Sequence, residues 1–247
     1  MADMGAEPCW ICGASTPTRC QACGTAGIDI FFCSKEHQRL VWPVHKLVCG
    51  PGKAMPFAWP LLSKEEVGDL LRHCDDPFPW VGNSTTTTML RWLAEQQNPP
   101  LSRTEVLGAI RISSNAADHG WLSPDGGQQL LIGLREAQYL WMSCGGQATS
   151  VSPPRAAVIH CTTTLSAYLP AEMQGDQKRS LSSLYHRALF YCFLGGQAFR
   201  SADEDLKKCA EYTHGELQLA LQSSLGEKYP VEAKKLADEF KSLARKV

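Results

Sequence analysis

The chain has 247 residues and a net charge of −1, with 44% hydrophobic and 20% charged residues, the balance of an ordinary globular protein. Nothing in the overall charge points to a polyanion, and no run nears the ~18 apolar residues of a membrane span, the longest being residues 188–194. Residues 1–7 lack the basic start and apolar stretch of a signal peptide, so the expected compartment is cytoplasm or nucleus, without secretion. Such a reducing setting keeps thiols free for metal.

Residues 1–6 read as a loose tail, and residues 7–50 carry the densest chemistry. Cys9-x-x-Cys12 is followed by Cys20-x-x-Cys23, then Cys33-x-x-x-His37 and His45-x-x-x-Cys49. A Cys-x-x-Cys pair brings two sulfurs to one ion across a tight turn, and an i, i+4 pair does so along a helical turn. Four close pairs supply ligands for two tetrahedral zinc ions, and the bland alternative is a set of buried hydrophobic cysteines. Both sites would be full, leaving no position for a catalytic water, so the ions are expected to be structural. Spacing alone leaves two pairings open, one sequential and one interleaved. Alternating, β-rich residues 28–32 suggest a short hairpin strand before Cys33. Ser34 can cap a helix to about Val41, and Pro43 can open a second helical turn bearing His45 and Cys49.

This stretch resembles a MYND-type zinc finger, most closely in residues 32–38 and 42–49. The sixth ligand of that family is usually cysteine, where this chain has His37, whose nitrogen serves zinc equally well. The resemblance implies the interleaved pairing. Zinc one would take Cys9, Cys12, Cys33 and His37, and zinc two would take Cys20, Cys23, His45 and Cys49. It also implies a small two-zinc cross-brace finger that docks proline-containing peptide segments of partner proteins, with Gln38 and Trp42 at groove positions. Against this, Trp42 can pack inward and Gln38 can be a solvated helix residue. Gln21 stands where that groove often has a smaller polar side chain.

Residues 51–62 form a Pro/Gly linker, and residues 63–247 read as one all-α helical domain. Ser63–Glu66 and Ser102–Glu105 are capping boxes, and further helices are expected at about 85–97, from Ser123-Pro124, and from Pro153-Pro154 to Leu169. Three more follow at about 178–194, 202–224 and 230–246. Residues 188–210 faintly resemble a tetratricopeptide repeat, though ordinary helix pairing explains them as well. Of 11 cysteines, the five outside the finger (Cys74, Cys144, Cys161, Cys192 and Cys209) have no ligand spacing and read as small core residues.

Residues 1–50 hold four bases against four acids, so six thiolates and two zinc ions leave the loaded finger near about −2, which argues against nucleic acid. No phosphate-binding glycine loop, nucleophile elbow or zinc-protease motif occurs, and His73, His119, His160, His186 and His214 are singletons. The expectation is therefore a non-enzymatic adaptor or regulator. Its rivals are a methyltransferase with an unrecognised catalytic domain and a finger that serves purely as a structural staple. The sequence does not fix partner identity or oligomeric state.

Overall fold

The computed structural model describes residues 6–51, 53, 62–77, 88–95, 99–113, 133–135, 137–138, 151–169 and 178–245. The chain divides into two compact units, one of residues 1–58 with 153–247 and one of residues 59–152. The helical stretch read from sequence as a single domain over 63–247 is thus shared between the two.

The finger opens with strands β1 (Glu7–Pro8) and β2 (Ser15–Thr16), paired antiparallel with Glu7 opposite Thr16. Their connection is a tight turn, in which Gly13 N–H donates to Cys9 O at 2.9 Å and Cys9 N–H to Ala14 O at 2.8 Å. The hairpin therefore lies earlier than the alternation at 28–32 suggests. That later segment is threaded between two others, with Cys20 N–H donating to Ile30 O, Phe32 N–H to Thr18 O and Trp10 N–H to Phe31 O. Only an isolated bridge, Arg19 to Phe31, is regular enough to count as pairing there.

Helix α1 (Gln21–Thr25) is a single turn, and α2 (Lys35–Val48) is capped by Ser34, whose Oγ accepts from His37 N–H at 3.2 Å. Here the expectation of two helical pieces fails, because α2 runs straight through Pro43. Proline forfeits one helical hydrogen bond, the one to the Arg39 carbonyl, and Arg39 faces solvent where water can replace it. Val41, Val44 and Val48 form a buried stripe on either side of Pro43 and hold the helix to the core.

The second unit contains α3 (Lys64–His73), α4 (Met89–Glu95) and α5 (Arg103–Ile112), with α5 packed against both α3 and α4. Both predicted capping boxes form, each Ser accepting from the backbone of its Glu while the Glu side chain accepts from the Ser N–H. Glu66 also meets Arg135 at 2.6 Å with both side chains fully buried, and Arg135 Nη1 reaches Gln138 Oε1 at 2.7 Å. The helix expected from Ser123-Pro124 lies mostly outside the described residues, which include its Leu134 and Ala137, both buried. Cys144, His119 and the centre of the linker lie outside them too.

The chain returns to the first unit with α6 (Pro153–Tyr168), α7 (Lys178–Phe199), α8 (Glu204–Leu221) and α9 (Pro230–Leu243). A π-helical turn, Gln222–Gly226, follows α8. Asp203 caps α8 by accepting from the N–H groups of Asp205 and Leu206. Residues 188–194 of α7 are buried without a break, because α2, α6, α8 and α9 surround that helix. The segment with tetratricopeptide character is the α7–α8 pair. Cys161, Cys192 and Cys209 are buried free thiols here, as Cys74 is in the second unit.

The finger shares its core with these helices. Phe190 of α7 lies 6.3 Å from Trp10, 6.2 Å from Phe32 and 5.5 Å from His45, measured between ring centroids. Arg187 stacks its guanidinium 4.2 Å over Trp10 while pairing with Glu216 at 2.8 Å. Zinc alone was expected to substitute for a core that so short a segment cannot build. Ile11, Ile30 and Val44 instead bury completely within a cluster that also holds Leu184, Leu189 and Leu217. Among the described residues, no helix is long and apolar enough to cross a membrane.

Candidate metal centre

The structure brings the eight finger ligands together as two quartets, Cys9, Cys12, Cys33 with His37, and Cys20, Cys23, His45 with Cys49. Within each quartet all ligand atoms lie within 4.8 Å of one another, so the pairs interleave. Sequential sharing of one ion by Cys9, Cys12, Cys20 and Cys23 is not the arrangement found.

Distances inside the quartets test whether zinc fits. Tetrahedral zinc with bonds of ~2.3 Å to sulfur and ~2.1 Å to nitrogen sets S···S near ~3.8 Å and S···N near ~3.6 Å. Cys12 to Cys33 is 3.6 Å, Cys20 to Cys49 is 3.6 Å and Cys23 to Cys49 is 3.7 Å. His37 Nδ1 stands 3.1 Å from Cys33 Sγ and 3.7 Å from Cys9 Sγ. His45 Nε2 stands 3.3 Å from Cys20 Sγ and 3.7 Å from Cys23 Sγ. Three thiolates and an imidazole at these separations are a closed zinc set.

The two histidines present different nitrogens for a reason rooted in helix geometry. Side chains on a helix tilt toward its N-terminus. Cys33 precedes His37, so the near nitrogen, Nδ1, already faces it. Cys49 follows His45, against the tilt, and the farther Nε2 has to reach round. Glycine completes both ends of the ligand array. Gly13 follows Cys12 at φ +77° and Gly50 follows Cys49 at φ +91°, turns that favour a residue without a Cβ.

Electrostatics within the second quartet are tightly shared in the absence of metal. Hydrogen bonds from Cys23 and His45 hold the Cys20 thiol at about 3, while that same bond pushes Cys23 up, and burial raises Cys49. One thiolate is thus ready-made, and zinc must displace protons from the other two.

The surrounding sequence agrees with this geometry, since residues 9–49 match the family model for the MYND finger. Residues 9–49 are a MYND finger. MYND fingers are zinc-binding protein-interaction modules, and this one carries two zinc ions in its two quartets. The chain is also similar to a hypoxia-inducible factor prolyl hydroxylase of Caenorhabditis elegans, 34% identical over 105 residues. That match covers 39% of this chain and 13% of the relative, so the chain spans only about an eighth of its length. No solved structure matches the chain.

Gln38 and Trp42 sit one turn apart on α2 of the MYND finger. Trp42 is 44% exposed, one of few large apolar side chains so open to solvent, with the His45 ring 5.9 Å away. Gln38 is half-buried, and its side-chain amide makes no hydrogen bond among the described residues. Gln21 is exposed at the start of α1.

Residues that sequence reasoning passed over also surround the metal. His186 and Phe190, both buried on α7, pack their rings 6.0 Å and 5.5 Å from that of His45. The available signal was a histidine two residues before an unbroken apolar run, which periodicity alone reads as core. Elsewhere His73 pairs with Asp76 at 2.7 Å, and His214 stacks on Tyr191 at 4.7 Å.

Proposed function

We propose that the chain is a non-enzymatic adaptor whose finger docks short proline-containing segments of partner proteins across Trp42 and Gln38. The observation that carries this reading is the exposure of Trp42 on the outer side of α2, while the opposite side of the finger is buried on α7. Holding an indole in water is unfavourable, and a proline ring laid on its face would cover it. The unused Gln38 amide, a turn away, suits the backbone of an extended peptide. The closed quartets supply no open coordination position for chemistry.

Covering the open part of an indole is worth about 1.5–3 kcal/mol, so Trp42→Ala should weaken a Pro-x-Leu peptide by at least about 10-fold. Titration of a labelled peptide by fluorescence anisotropy, with zinc content held at two, reads this directly. Unchanged affinity in a fully loaded Trp42→Ala protein would remove the groove assignment.

A second reading is favoured by the shared core: the finger serves as a staple for α6–α9. It predicts that Gln38→Ala/Trp42→Ala alters no interaction while Cys20→Ala collapses the unit. The same peptide titration separates the two readings, because only docking depends on the exposed indole.

A further inference from the structure

The second zinc quartet contains a mismatch that its own residues do not resolve. His45 is fully buried, and its Nε2 faces Cys20 and Cys23, so the metal takes that nitrogen and the proton resides on Nδ1. Nδ1 is buried and has no hydrogen-bond partner. A zinc-bound histidine almost always donates its second N–H to an acceptor in the surrounding shell, which fixes ring orientation and strengthens the ligand.

An acceptor of the right kind stands next to it. His186 is also fully buried, and its Nδ1 lies 2.8 Å from the Ser182 carbonyl one turn back on α7. A carbonyl only accepts, so Nδ1 of His186 carries that ring's proton and Nε2 is left with a free lone pair. Nε2 is the second buried imidazole nitrogen here without a partner. Burial takes the His186 pKa down to about 4, so the ring stays neutral near pH 7. It also approaches the backbone of Val48 in the last turn of α2, close to His45. The Val48 carbonyl has no proton to give and cannot satisfy that lone pair.

The two rings lie 6.0 Å apart between centroids at 64°. Ring nitrogens facing across that gap stand within about 1 Å of hydrogen-bond distance. Phe32, at 5.9 Å from His45, and Phe190, at 6.2 Å from His186, line the same space with apolar surface. One orphan is a donor and the other an acceptor, and each is the partner the other lacks.

We propose that His186 is the positioning residue for zinc ligand His45, its Nε2 accepting the Nδ1–H of His45 when the second ion is bound. The metal is thereby tied to α7, so the C-terminal helices complete the ion's surroundings. This inference rests on the two-ion finger and not on peptide docking.

The experiment uses the full zinc-loaded chain. In the wild type, 15N NMR of the histidine side chains should show a through-hydrogen-bond N–N coupling between His45 Nδ1 and His186 Nε2. His186→Phe keeps the bulk and removes the acceptor, and competition with a chromophoric chelator should then show one of two ions bound about 10–100-fold more weakly. His186→Gln, which restores an acceptor oxygen, should recover most of that loss, whereas mere packing would favour the aromatic replacement. Absence of the coupling in the wild type overturns the proposal, even if His186→Phe does not fold. Wild-type affinity for both ions in a folded His186→Phe protein overturns it as well. A wild-type zinc content below two by native mass spectrometry would instead strike the two-ion reading beneath it.

Discussion

Glu66 satisfies two demands with one carboxylate. Its Oε2 accepts from the Ser63 N–H at 2.6 Å to close the capping box of α3, and its Oε1 meets the buried Arg135 at 2.6 Å. Removing it leaves a guanidinium in the interior without its carboxylate. Glu66→Ala should therefore lower the stability of the second unit by about 3–5 kcal/mol in urea unfolding, well beyond the ~1 kcal/mol of a lost cap. Glycines divide in the same way between local and distant causes. At Gly13 the backbone has φ +77°, and an added Cβ would lie 2.7 Å from the Tyr212 ring of α8. At Gly108, inside α5, nothing lies within 4 Å of such a Cβ. Gly13→Ala should destabilise by about 1–3 kcal/mol, and Gly108→Ala should stabilise by about 0.5–1 kcal/mol, both read from thermal melts. The eight zinc ligands were legible because residue type and local spacing announce them. The second duty of Glu66 was not, since its partner lies 69 residues away, and the Tyr212 wall behind Gly13 is equally non-local.

At the scale of elements, rules of sequence succeeded where the controlling contacts are near in the chain. The serine caps of α2, α3 and α5, each with an extended cap backbone and a hydroxyl accepting from the third residue on, needed nothing beyond four residues. The rules failed where tertiary anchoring overrides them. Pro43 reads as a helix start, yet α2 carries ligands on both sides of it, with His37 in one quartet and His45 in the other. Buried Val41, Val44 and Val48 add a further hold. Those anchors offset the missing N–H, and the bond forgone lies on the solvent side. Pro43→Ala should return that bond at the expense of a freer unfolded chain, for a net gain of about 1–2 kcal/mol. The expected result is a raised melting temperature at a zinc content still equal to two. A fall in zinc content would show that the proline itself sets the spacing of the two histidines. The strand expected at 28–32 failed for a related reason. Phe31 and Phe32 are both buried, so that segment is enclosed on two sides and its alternation does not mark a hairpin edge.

For the whole molecule, the consequence of a shared core is that metal and helices stand or fall together. Phe190 touches rings on both sides of the finger, and Trp10, Phe32 and His45 present their faces to α7 only while the quartets hold the finger's shape. Zinc removal should therefore loosen α6–α9 as well, with a loss of helical circular dichroism larger than α1 and α2 alone contain. The dependence on pH has a definite sign. In the metal-free second quartet Cys20 is already a thiolate near neutrality, whereas Cys23 and Cys49 are raised and keep their protons. Binding the ion releases those two protons, so zinc-dependent stability is present at high pH and drains away as pH falls. Apparent affinity for the second ion should drop by about two powers of ten per pH unit between roughly pH 7.5 and 6. Chelator competition across that range measures the slope. A slope below one would mean that the thiols are ionised before the metal arrives, and that the proton sharing seen among Cys20, Cys23 and Cys49 does not persist in solution.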